Sequence, residues 1–67
     1  MISLNSFLDM HQERTQIAKS AQHHLPGYQF YTAIRDNGQW FLLAEYRHGQ
    51  TVYTVTELPD KFLFTQV

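Results

Sequence analysis

Apolar residues recur at helical spacing along the first third of the chain and then switch to alternation after Leu25-Pro26-Gly27. From about residue 4 to residue 25 there is neither Pro nor Gly before Pro26, and Ser6 followed three residues later by Asp9 imitates a capping box, with Ser3 as a competing cap. Advancing 100° per residue gathers Leu4, Phe7, Ala18, Ala21 and Leu25 on one side, with Met10 and Ile17 at its edge. Asp9, Gln12, Glu13, Gln16 and Ser20 oppose them. The segment therefore reads as an amphipathic helix that buries one stripe. His23 and His24 suit its negative end, and Pro26-Gly27 stops it.

Beyond that stop the period becomes two. Strands are expected over about 28–35, 39–47 and 51–57, with a further one over 62–66 if the tail pairs rather than drapes. Asn37-Gly38 between two alternating aromatic runs is the signature of a two-residue hairpin loop. Arg47-His48-Gly49-Gln50 marks the next reversal, taken as a loop at His48-Gly49, and Pro59-Asp60 fits a type I turn. The expected fold is α+β, one domain over residues 1–67: an N-terminal amphipathic helix packed on one face of a three- to four-stranded antiparallel β-meander.

Those turns fix which residues share a face. One face carries Tyr31, Ala33, Arg35, Trp40, Leu42, Ala44, Tyr46, Tyr53 and Val55; the other carries Tyr28, Phe30, Thr32, Ile34, Phe41, Leu43, Val52, Thr54 and Thr56. Both are rich in large apolar groups, whereas a sheet with one wet face alternates apolar with polar. A lone helix covers only one of them. The room left by Ala18 and Ala21 favours the bulky Trp40 face for the helix, with Phe62 and Phe64 of a pairing tail added to it, so the Phe30 face is expected to stay uncovered.

Composition narrows the function classes. Ten of the 67 residues are aromatic, and all but Phe7 follow residue 27, so the aromatic weight belongs to the sheet. A chain this short buries only about 60% of the surface it exposes when unfolded, and without cysteine it has no disulfide to compensate. The start Met1-Ile2-Ser3-Leu4 lacks a basic and apolar leader, and no apolar run reaches transmembrane length, so the expected location is cytoplasmic. A formal charge of -1 without charge blocks removes the electrostatic footprint of a nucleic-acid binder.

Chemistry-bearing patterns are sparse. His11, His23, His24 and His48 show no i, i+4 pair, so neither a metal site nor any other cofactor is expected. Ser3, Ser6 and Ser20 lack nucleophile-elbow glycines, and Gly27, Gly38 and Gly49 each belong to a turn, which leaves no catalytic group to assign and no enzyme activity to expect. His11 and Arg14 interrupt the apolar stripe; Arg14 is expected to snorkel along the sheet edge or to pair with Glu45 or Glu57. The reading that remains is a non-enzymatic protein-binding module, a small regulator or inhibitor of the kind microbes and phages make. Its partner is a larger protein or a second copy of itself. The candidate contact residues are Phe30, Ile34, Phe41, Leu43, Val52, Arg14, Arg35 and Arg47. The alternative is a weak single-stranded nucleic-acid binder that stacks bases on Tyr31, Trp40, Tyr46 and Tyr53.

Overall fold

A computed structural model describes the backbone of residues 4–67 and the side chains of residues 10–67. It contains one helix, α1 (Leu4–His24), followed by four strands, β1 (Phe30–Asp36), β2 (Gln39–Tyr46), β3 (Gly49–Glu57) and β4 (Phe62–Gln66). The strands form one antiparallel sheet in the order β1-β2-β3-β4, and α1 packs across one of its faces. The tail pairs as a fourth strand, Val55 opposite Phe64 and Glu57 opposite Phe62. α1 already runs from Leu4, so Ser6 and Asp9 lie inside the helix and the expected cap at Ser6 is not its start; the expected cap at Ser3 and the expected burial of Leu4 and Phe7 lie outside the described residues.

The helix takes the Trp40 face. Ile17, Ala21, Ala33, Trp40, Leu42, Ala44, Tyr53 and Val55 form the core, with Met10, Leu25, Tyr28, Tyr31, Phe62 and Phe64 packed against it. Among the described residues Ile17 and Leu42 are the two large side chains with no exposure at all. Among the described residues three of the eight core members are alanines, so this part of the core is tight but small, and each remaining large side chain in it carries a correspondingly big share of the stability.

The helix stripe is turned from its expected direction by less than the ~100° step between residues. Ile17 moves from edge to centre, Ala18 moves out to the flank, and Glu13 and Ser20, expected on the solvent side, become half-buried. Counting apolar positions equally had hidden this. Burial is worth about 0.8 kcal/mol per CH2, so docking follows one isoleucine rather than two alanines.

The first hairpin is as expected. Asn37 and Gly38 both have positive φ, at 50° and 77°, the conformation of a type I′ loop, and Arg35 sits opposite Trp40. The second differs. Its loop is Arg47-His48, with Tyr46 opposite Gly49 and Ala44 opposite Thr51, so Gly49 belongs to β3 and has no turn φ to supply. The register is therefore two residues away from the expected one. Because side chains alternate with a period of two, an offset of two leaves every residue on its expected face.

Tyr28 is the exception. It precedes β1, and its ring turns to the helix side, edge-on to Tyr31, Tyr46 and Tyr53. The connection at Pro59-Asp60 is closed by the Leu58 N–H donating to the Lys61 carbonyl at 2.9 Å. Among the described residues no helix is long and apolar enough to cross a membrane.

Candidate functional site

The face opposite α1 is open. Phe30 is 66% exposed, Ile34 42%, Leu63 44% and Val52 36%, while Phe41 and Leu43 between them are half-buried. Alternation puts these six side chains on one side of the sheet, interleaved with Thr32, Thr54, Thr56 and Thr65. The only charged strand residues on this side are Asp36, at one end of β1, and Glu45, at the other end of the sheet opposite Phe30. The result is an uncharged, β-branched and aromatic platform with carboxylates at its rim. Of the exposed large hydrophobic side chains among the described residues, Tyr46 alone lies on the helix side; Phe30, Ile34, Val52 and Leu63 are outward, and Val67 just beyond β4 follows the same alternation.

Five of the eight expected contact residues, Phe30, Ile34, Phe41, Leu43 and Val52, are brought together here. The arginines are not. Arg14 from α1 and Arg35 from β1 sit on the far side of the sheet, their guanidinium carbons 5.8 and 5.3 Å from the centre of the Trp40 ring. Arg14 thus rests on an aromatic face rather than on Glu45, which points outward, and the pull of the ring quadrupole explains how a cation sits within an apolar stripe. Arg47 stands exposed in the β2–β3 loop.

Leu63 belongs to the platform and was missing from the expected contacts. The Phe62-Leu63-Phe64 alternation held the signal, since a pairing tail that turns both phenylalanines inward must turn Leu63 outward.

Two polar arrangements occupy the helix side. Around Trp40, the Glu13 carboxyl hydrogen-bonds and repels that of Glu57, raising the Glu57 pKa, an effect that burial adds to and Arg35 partly offsets. The indole Nε1 is buried without a hydrogen-bond partner. At the other end, Tyr31 Oη donates to the Leu25 carbonyl at the helix terminus and accepts from the Tyr28 N–H, and the Tyr28 and Tyr53 hydroxyls meet at 2.9 Å. All four tyrosines of the chain therefore act as a bracket between the helix end and the sheet. Trp40 and Tyr53, two of the rings a base-stacking platform would use, are only 5% and 8% exposed under α1.

The paired phenols separate in acidity. Tyr28, stabilised as an anion by hydrogen bonds from Thr51 and then Tyr53, is held below the usual 10.0. Tyr53 is pushed up to about 12, first by its hydrogen bond to Tyr28, then by burial and by the neighbouring Tyr28 and Tyr31 charges. Neutral Tyr53 is thus favoured by folding, and that contribution is complete below pH 10 and lost as pH rises towards 12. Tyr28 has the opposite sign and adds slightly to stability as pH approaches 10. Thermal melts are expected to hold or rise a little up to pH 10 and to fall beyond it. An absorbance titration at alkaline pH should show one phenol ionising well after the rest. A single ionisation step covering all four tyrosines, or an unchanged late step in Tyr53→Phe, would contradict the assignment.

Among the described residues there is no group of three or more His, Cys, Asp or Glu side chains placed to hold a metal ion. The cleft between α1 and the β3–β4 connection is lined by Gln16, Ser20, His24, Asp60 and Lys61 among others, a polar seam at a packing joint. Comparison of the chain with protein-family models, with characterised proteins and with solved structures finds no match.

Proposed function

We propose that this chain is a small non-enzymatic protein-binding module whose working surface is the outer face of the sheet. The observation that supports it most is that, among the described residues, nearly all the exposed large hydrophobic side chains group on that one face, with charge confined to its rim. Contiguous apolar patches on monomeric proteins rarely exceed a few hundred Å², and patches rimmed by polar groups mark contact surfaces. A protein surface can fill such a platform by shape and burial alone, without the basic counterpart that a phosphate backbone demands. Binding of this kind regulates or inhibits by occupancy, because it needs no reacting group.

A photo-crosslinking residue introduced at Val52, in the middle of the platform, tests the reading against the same probe at Gln22 on the exposed side of α1. In cells making the protein, discrete adducts are expected from position 52 and none from position 22. Equal labelling from both positions, or none from position 52, would remove the support.

A further inference from the structure

Resting on that reading, we infer that the occupant of the outer face is a second copy of this chain, the two sheets packing face to face as a sandwich about a two-fold axis. Three observations lead there. The first is the apolar set itself. Phe30, Ile34, Val52 and Leu63 are exposed on one sheet face with Phe41 and Leu43 half-buried between them, and face-to-face packing takes all six out of water at once.

The second is charge. Partners of different sequence commonly meet through patches of opposite sign, which steer the encounter. This platform offers no cation among its strand positions, and its carboxylates, Asp36 and Glu45, stand at opposite ends. A two-fold contact sets the same surface against itself, so a charged centre would repel its own image. The centre, Leu43 and Val52 with Thr32 and Thr54 beside them, is neutral.

The third is shape. Two sheets pack about 10 Å apart with strands nearly aligned, inner side chains interdigitating. Projecting Phe30, Ile34 and Leu63 alternate with threonines across the face, which supplies knobs and the gaps to receive them. The dimer would also add buried apolar surface to a small core, in which eight of the described residues are buried. Association would then stabilise the fold by mass action.

Sedimentation of the full chain between about 1 and about 100 µM, a range that brackets a micromolar Kd, should show its 7.9 kDa mass double as concentration rises. Val52→Lys places two like charges at the centre and should remain monomeric throughout, with an unchanged circular dichroism spectrum. Leu63→Lys, at the outer strand, provides the same test if the first variant does not fold, with a weaker but measurable rise in Kd of about tenfold or more. A wild-type chain that stays monomeric at the highest concentration overturns the inference, and so does a dimer that both lysine variants leave intact. The cross-link at position 52 separates the two readings. An adduct of twice the chain mass supports the second copy, while an adduct of any other mass with a monomeric wild type overturns it and leaves the binding module standing. No adduct with a monomeric wild type sinks both.

Discussion

Ile17→Ala should remove about 2–5 kcal/mol of stability, most of what a single core below 80 residues commonly supplies. Among the described residues Ile17 is the helix's one large fully buried side chain, and on the sheet side the corresponding residue is Leu42. Truncating either leaves a cavity at the joint, with few neighbours able to collapse into it because Ala21, Ala33 and Ala44 are already small. Urea denaturation checks this, with Ile17→Val as the graded control at about 0.5–1.5 kcal/mol. An Ile17→Ala midpoint within experimental error of wild type would mean that α1 is held by something other than this contact.

Gly38→Ala and Gly49→Ala should part company, although both glycines follow a polar turn residue in a hairpin. Gly38 has a φ of 77°, where an L side chain costs about 1–2 kcal/mol. Gly49 lies in β3 with no left-handed φ, and a Cβ added there meets nothing within 4 Å. Its alanine variant is expected within about 0.5 kcal/mol of wild type. Matched thermal melts of the two variants decide the point: equal losses would place a turn glycine at both positions and restore the His48-Gly49 loop.

That contrast shows where the sequence could be read and where it could not. Asn37-Gly38 was legible because positive φ at two successive positions is a demand few residue pairs meet. Arg47-His48-Gly49 was ambiguous because a loop without positive φ accepts almost any residue, so the glycine drew attention to the wrong step. The faces survived the error, since the offset was even. The helix was legible in extent but not in rotation, because periodicity counts positions while docking weighs volumes. Tyr28 could not be placed from alternation, as it lies before the strand whose alternation was being extended.

The candidate surface divides along the same line. Its five apolar members follow from strand parity, which is robust, whereas Arg14 and Arg35 belong to the Trp40 seam behind the sheet. Leu63 needed the tail to be a strand before it could be counted. What parity cannot supply is the identity of a contact across space, and the four-tyrosine bracket is of that kind: residues 28 and 53 meet through their hydroxyls although no local pattern links them.

The single tryptophan sits under α1, beneath two guanidinium groups, on the side of the sheet away from the platform. Its emission is therefore an internal gauge of the helix–sheet joint that is insulated from whatever touches the other surface. A fluorescence change marks undocking of the helix, and silence during a mass change marks assembly, so the molecule carries its own means of telling unfolding from association.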